Sequence, residues 1–123
     1  TDSFLAYVPF AARWPMEAHL LPKRAVKNHT ELSDDERQEL ATVYSKLLIA
    51  FEKVYPTPSP YIAAWHQAPN APGGQNLRLQ LQITSPRRGA DKLKYLAGSE
   101  SAMGAFIADI TAETIAGQLR GML

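Results

Sequence analysis

The stretch Leu77-Arg78-Leu79-Gln80-Leu81-Gln82-Ile83-Thr84 alternates apolar and polar residues without interruption. A two-residue period is typical of a β-strand with one buried and one open face. The three leucines and Ile83 are predicted to face the core, whereas Arg78, Gln80 and Gln82 line the other face. That second face is therefore polar, but it carries neither a nucleophile nor a strong metal ligand.

Further elements follow on both sides of this strand. Ser33 and Glu36 form a capping box, which predicts the start of a helix over residues 34–55, and a run of prolines ends it. The other predictions are strands over 4–9, 17–22 and 61–66, a break at 86–89, an extended or looped piece over 92–97, and helices over 99–107 and from 111 onward. This order predicts an α+β fold in which a long helix covers one face of an antiparallel sheet and further helices follow at the C-terminus.

Composition restricts the class of protein. The 123 residues are expected to form one domain, 1–123. With 13 basic and 12 acidic residues, the chain has no general attraction to nucleic acid or to an anionic membrane. The absence of cysteine excludes disulfides and thiolate metal sites. No apolar run is long enough to span a membrane, and the N-terminal apolar run lacks the basic flank of a signal peptide, so a cytoplasmic location is expected. The abrupt start suggests a piece of something longer.

Five separate sequence motifs resemble those of one known family. They are Val8-Pro9-Phe10-Ala11-Ala12-Arg13-Trp14-Pro15, Leu20-Leu21-Pro22, Pro60-Tyr61, Trp65-His66-Gln67-Ala68-Pro69 and Lys94-Tyr95-Leu96-Ala97-Gly98-Ser99-Glu100. Their order and spacing resemble the C-terminal half of galactose-1-phosphate uridylyltransferase, whose fold is that of the histidine triad superfamily. The resemblance covers nearly the whole chain.

The resemblance implies a reaction that this chain does not contain in full. Such enzymes move a uridylyl group from UDP-glucose to galactose 1-phosphate through a uridylyl-histidine, and their nucleophile lies in a His-Pro-His motif of the N-terminal half. Here His19, His29 and His66 stand apart, and no His-Pro-His occurs. We therefore assign no catalytic residue, and we expect the isolated chain to be inactive.

The resemblance also implies a structural iron or zinc site, with His66 as one ligand. The positions of the family's His-x-His pair are occupied here by Gln80 and Gln82. A neutral amide oxygen is a poor replacement for imidazole with such metals, so the site is degenerate and no cofactor is expected. The alternative is a set of polar side chains bonded to each other, to water or to a partner.

Substrate-binding residues are expected in the last of these motifs, residues 94–100. The resemblance implies that Lys94, Tyr95, Ala97, Ser99 and Glu100 contact a hexose phosphate, since an ammonium pairs with phosphate and a carboxylate accepts from sugar hydroxyls. The family often has an aromatic residue where Ser99 stands. The alternative is a solvated Lys94–Glu100 pair beside a helix start.

Several other residues allow two interpretations. The basic cluster Arg87, Arg88, Lys92 and Lys94 either guides a nucleotide phosphate or is a solvated loop. Arg13 and Trp14 are interpreted as packing residues, and His19 as a hydrogen-bonded core or edge histidine. His29 carries no signal.

Two functions remain open. One is the sugar-phosphate-binding and dimerisation half of a uridylyltransferase, with UDP-hexose or hexose 1-phosphate as ligand and either a second copy or an N-terminal half as partner. The other is a non-catalytic binding or assembly module that retains the fold. In either case we expect Trp14 and the edge over residues 4–10 near the contact. A stand-alone histidine triad hydrolase is excluded, because its alternating histidine motif is absent.

Overall fold

A four-stranded sheet and one long helix form the body of the protein. The computed structural model describes residues 1–74 and 76–123. In chain order the elements are β1 (Phe4–Tyr7), β2 (Met16–Pro22), α1 (Asp34–Lys53), β3 (Ile62–His66), β4 (Gln80–Ser85), β5 (Arg87–Gly89), β6 (Lys92–Leu93), α2 (Gly98–Met103) and α3 (Ala112–Met122), with short 3-10 turns at His29–Glu31 and Gly74–Asn76.

The sheet is antiparallel throughout, in the order β1-β2-β4-β3. Helix α1 covers one face, and α3 packs beside it. The predicted α+β class, with a long helix over an antiparallel sheet and helices at the C-terminus, is confirmed. Strands β1 and β3 form the two edges of this sheet.

The core lies between α1 and the sheet. The capping box is present, since the Ser33 side chain accepts from the amide of Glu36 and the Glu36 carboxylate accepts from the amide of Ser33. Buried apolar residues then recur about every three or four positions along one face of the helix, as in other amphipathic helices. Its buried residues are Leu40, Val43, Leu47, Ala50 and Phe51.

The alternating stretch behaves as predicted over most of its length. Leu79, Leu81 and Ile83 are all 0% exposed, whereas Gln80 and Gln82 are partly exposed on the other face. The prediction is wrong at its start, because β4 begins at Gln80 and Leu77 is 56% exposed. The amide of Leu77 instead closes the 3-10 turn by donating to the carbonyl of Gly74.

The C-terminal third departs from the prediction in two places. The predicted break at 86–89 is strand β5, which pairs with β6 in a short hairpin. The helix predicted over 99–107 ends at Met103, because Gly104 takes a left-handed conformation with φ of 66° that terminates it. Among the described residues, no helix combines the length and the apolar character needed to cross a membrane.

Candidate functional site

The sheet face opposite α1 carries a connected group of polar side chains. Alternation in β2 places Glu17 and His19 on this face, and alternation in β4 adds Gln80 and Gln82. Tyr7 of β1 joins them, because the strand register sets it directly beside His19, which in turn lies beside Gln82. We call these five residues the polar sheet face.

Glu17 is the centre of this group and is only 2% exposed. One carboxylate oxygen, Oε1, accepts from His19 Nε2 and from Gln82 Nε2, each at 2.9 Å. The other oxygen, Oε2, accepts from the backbone amides of Arg13 at 2.8 Å and Trp14 at 3.3 Å. A buried carboxylate needs such donors to offset its lost hydration.

These contacts decide the charge of Glu17. Burial raises the pKa of its carboxyl, but the hydrogen bonds from His19, the Arg13 amide, Gln82 and the Trp14 amide together outweigh burial, so the pKa is lowered. Glu17 is therefore an ionised acceptor at neutral pH.

The ionised Glu17 also orients the imidazole of His19. The Nε2–H of His19 donates to Glu17, which leaves the single lone pair of Nδ1 to accept from Gln80 Nε2 at 2.8 Å, with the Tyr7 hydroxyl as a longer contact at 3.3 Å. The interpretation of His19 as a hydrogen-bonded histidine is confirmed.

The family's metal does not fit the residues present. His66 is exposed at the end of β3, directly across from Gln80. The side-chain amides of Gln80 and Gln82 already bond to His19 and Glu17. Within the described part of the chain, no three His, Cys, Asp or Glu side chains converge in a way that could hold a metal ion. One imidazole and two amides supply neither the charge nor the softness that iron or zinc requires.

A second group of polar residues lies in the Lys94 segment, by which we mean residues 94–107. The ammonium of Lys94 contacts Glu100 Oε1 at 2.6 Å, the carbonyl of Ile107 at 2.6 Å and the carbonyl of Arg13 at 3.0 Å. The side chains of Lys94 and Glu100 are only 4% and 2% exposed. The alternative of a solvated pair is therefore wrong, because both charges are buried against each other and against the backbone.

Glu100 organises the start of α2. Its Oε2 accepts from the amide of Ala97 at 2.7 Å, and its Oε1 accepts from the amide of Ile107 at 3.1 Å. The hydrogen bond from Lys94, followed by those from the two amides, lowers the pKa of the Glu100 carboxyl to about 2. A carboxylate at this position satisfies backbone donors that the helix leaves unpaired.

The five residues predicted to bind substrate divide into two kinds. Lys94 and Glu100 are buried and hold the segment together. Tyr95 is 85% exposed, Ala97 is exposed and Ser99 is half-buried. The exposed residues 95–98 therefore lie between solvent and the two buried charges.

Most of the basic cluster is hydrogen-bonded within the protein, and two of its four cations have a carboxylate partner. Arg87 donates to the carbonyls of Pro58 and Ala90, and Arg88 pairs with Asp109 at 3.0 Å. Lys94 points into its buried contacts, whereas Lys92 is exposed. Three of the four side chains are thus engaged within the protein, so they form neither a fully solvated loop nor a set of free cations for a phosphate.

Sequence reasoning did not select Glu17 or Tyr7. The sequence did contain a signal for Glu17. This carboxylate interrupts the mostly apolar run 16–22, and it stands two residues before His19. That spacing places both side chains on one strand face, where an ion pair can form. Tyr7 had no local signal, because only strand pairing brings it beside His19.

A family model, a related sequence and a solved structure each match nearly the whole chain. The family described as the galactose-1-phosphate uridyl transferase C-terminal domain matches residues 1–123. A galactose-1-phosphate uridylyltransferase of Thermotoga maritima is 36% identical over 122 residues, covering 98% of this chain and 38% of that protein. A solved uridylyltransferase structure superposes with a TM-score of 0.92 at 37% identity, covering 99% of this chain and 39% of the other.

More distant structures share the fold alone. A zinc-bound histidine triad family protein of Mycobacterium smegmatis superposes with a TM-score of 0.61 at 15% identity, covering 99% of this chain and 78% of that one. The predicted histidine-triad-like architecture is thereby confirmed. The chain spans little more than a third of the uridylyltransferases it matches.

Proposed function

We infer the function from one premise: the chain belongs to the galactose-1-phosphate uridyl transferase C-terminal domain family. We propose that residues 1–123 form one domain, which binds the sugar phosphate in a UDP-glucose:hexose-1-phosphate uridylyltransferase. The observation that supports this most is the family match along the whole chain. The relative from Thermotoga maritima, which is 36% identical, is named galactose-1-phosphate uridylyltransferase.

The Lys94 segment is the part of the domain that would meet the hexose phosphate. Its residues 95–98 are exposed, and Gly98 leaves open space where a side chain would stand. The buried pair of Lys94 and Glu100 fixes this backbone from beneath. A fixed backbone binds a ligand with less loss of conformational entropy than a mobile one.

The nucleophile of the reaction would come from outside residues 1–123. His19 is committed to Glu17, Gln80 and Tyr7, and His29 makes an edge contact with Trp65 at 4.4 Å between ring centroids. His66 is exposed, and its partner in the strand register, Gln80, is an amide that cannot act as the base that activates a nucleophile. Purified chain incubated with radiolabelled UDP-glucose should therefore remain unlabelled, and stable labelling of any of the three histidines would contradict this.

Exposed apolar side chains support a partner, which would be a second copy or an N-terminal half. Phe10 is 90% exposed, Tyr95 85% and Met103 81%. A partner that covered these side chains would remove their apolar surface from water, which favours association. The open edge of β1, where Leu5 is 48% exposed, adds an unpaired strand to the candidate contact.

A titration with galactose 1-phosphate, followed by the backbone amide resonances of the chain, tests the binding role. We expect shifts at residues 95–98, and we expect Gly98→Ala to weaken them because the added methyl group would enter the ligand's space. Gly117→Ala is the matched control, since its added Cβ also meets nothing within 4 Å but lies in α3. Shifts confined to other parts of the chain would contradict the proposal.

The second candidate is a non-catalytic binding or assembly module. It is favoured by Gln80 and Gln82, which replace the family's metal ligands and bond instead within the polar sheet face. Mixing this chain with the part of the Thermotoga maritima protein that it does not match distinguishes the two. Uridylyl transfer in the mixture supports the enzyme, whereas a stable complex without transfer supports the module.

A further inference from the structure

Two buried charged side chains hold one short turn from opposite sides. The Glu17 carboxylate accepts from the amides of Arg13 and Trp14, and the Lys94 ammonium donates to the carbonyl of Arg13. Residue 13 is thus bound through both its N–H and its C=O. We call residues 12–15 the Arg13 turn.

The contact of the turn with Lys94 leaves that residue no spare donor. An ammonium has three N–H groups, and Lys94 has three acceptors, which are the Arg13 carbonyl, the Ile107 carbonyl and Glu100. Moving the Arg13 carbonyl would leave a buried N–H unpaired, which is costly. The position of Lys94 is therefore tied to that of the turn.

A second contact joins the same two parts of the chain. The guanidinium carbon of Arg13 lies 5.0 Å from the centroid of the Phe106 ring, within the range of a cation–π interaction. Glu100 extends the connection further, since it binds the amides of Ala97 and Ile107 as well as Lys94. Residues 95–98 are consequently linked to Glu17 through charge-assisted hydrogen bonds at Glu100, Lys94 and Glu17 and through the covalent backbone of Arg13 that joins them.

We propose that Glu17 is a positioning residue: by holding the Arg13 turn, its carboxylate sets the position of the Lys94 segment. The ligand named for that segment rests on the proposed function, whereas the connection itself rests on the contacts above. The same carboxylate also accepts from His19 Nε2 and Gln82 Nε2 on the polar sheet face, so that face and the Arg13 turn share one acceptor group. Glu17 does not itself reach the exposed residues 95–98.

Native-state hydrogen exchange of the unaltered chain gives the first test. The amides of Arg13 and Trp14 donate to the carboxylate of Glu17. The amides of Ala97 and Ile107 donate to the carboxylate of Glu100. We expect the four to share one opening free energy and one dependence on denaturant, as amides of a single cooperative unit do. Protected amides at Arg13 and Trp14 together with independent opening at Ala97 and Ile107 would overturn the proposal.

The second test compares Glu17→Gln with Glu39→Gln. Glu39 is a matched control because its carboxylate also accepts from a backbone amide, that of Ser3 at 2.9 Å, in another part of the fold. We expect Glu17→Gln to raise exchange at Ala97 and Ile107 about tenfold, the factor that corresponds to about 1.4 kcal/mol. Glu39→Gln should leave both amides unchanged. Equal effects of the two variants would indicate general destabilisation and would count against positioning, and if Glu17→Gln fails to fold, exchange in the unaltered chain decides.

Titration with galactose 1-phosphate separates this inference from the proposed function. If both hold, Glu17→Gln raises the Kd about tenfold while shifts at 95–98 still reach saturation, whereas Glu39→Gln leaves the Kd unchanged. If the unaltered chain shows cooperative exchange but no shifts with this probe, the proposed ligand is wrong and the positioning role stands. Unchanged exchange and an unchanged Kd in Glu17→Gln would refute the role.

Discussion

The ammonium of Lys94 lies 2.6 Å from the carboxylate of Glu100, and neither side chain is more than 4% exposed. A buried ion pair of this kind is not strong evidence for net stability, because both charges lose their hydration. Removing one partner is a different matter, since the other charge then stays buried without its counter-ion. This asymmetry makes the pair suitable for experiment.

Replacing Lys94 with methionine should destabilise the protein strongly. Glu100 would keep its two amide donors but lose its only cation among the described contacts, and the carbonyls of Arg13 and Ile107 would lose a donor. Thermal unfolding followed by circular dichroism measures the change. We expect the fall in Tm to be at least about three times that of Lys92→Met, the control at an exposed lysine, on the general contrast between buried and surface sites. Equal losses would show that the pair contributes nothing specific.

Acid should weaken the fold through the same pair. The pKa of Glu100 is lowered from 4.5 to about 2, so the unfolded chain takes up the proton first. The stabilisation is therefore complete above about pH 4.5 and is lost as the pH falls toward 2. Urea unfolding at several pH values should show a shallower loss over this window for Glu100→Gln than for the unaltered chain. Glu113→Gln, at an exposed position of α3, serves as control and should keep the original slope.

Histidines restored on β4 should create a metal site. The strand register sets His66 directly across from Gln80, and cross-strand neighbours on one face have Cβ atoms about 5 Å apart. We expect the double variant Gln80→His/Gln82→His to bind Zn²⁺ and to gain about 2.7 kcal/mol of stability at a hundred times its Kd. Adding His66→Ala to this variant should abolish the gain. A gain that survives His66→Ala would place the metal elsewhere.

Two leucines of the alternating stretch should differ sharply in their effect on stability. Leu81 is 0% exposed within the core, whereas Leu77 is 56% exposed before the strand begins. Leu81→Ala is expected to cost about 2–5 kcal/mol of unfolding free energy, because it removes buried methyl groups and leaves a cavity. Leu77→Ala should change it by less than about 0.5 kcal/mol. Denaturant unfolding measures both, and a large loss at Leu77 would mean that the strand begins earlier.

Self-association should depend on the exposed apolar side chains. Phe10 and Tyr95 are 90% and 85% exposed, and burying such rings in an interface is favourable. We expect light scattering to detect dimers of the chain at high concentration, and the double variant Phe10→Ser/Tyr95→Ser to be monomeric. Leu123→Ser, at another exposed apolar residue, is the control and should not change the mass. A clean monomer for the unaltered chain would leave an N-terminal half as the partner and would rule out the homodimer.

Local patterns in the sequence were enough to predict the sheet and its helix. The alternation of Leu79, Leu81 and Ile83 with Gln80 and Gln82 predicts which face is buried, because side chains on a strand point alternately to its two faces. Ser33 and Glu36 predict the start of α1, because both capping contacts form within one turn of chain. Such features depend on residues a few positions apart, so the sequence alone determines them.

Contacts between distant residues could be decided only by the tertiary structure. Glu17 and Gln82 are 65 positions apart, and Lys94 and Arg13 are 81 apart, so no local pattern relates them. From the sequence, Lys94 and Glu100 were predicted to be either a solvated pair or ligand contacts. The fold instead places the Lys94 ammonium against the Arg13 carbonyl. The sequence by itself determined the strand faces, the long helix and the family. Which charged groups are buried, and what each of them holds, was decided by packing, because burial and hydrogen-bond partners depend on everything that surrounds a side chain.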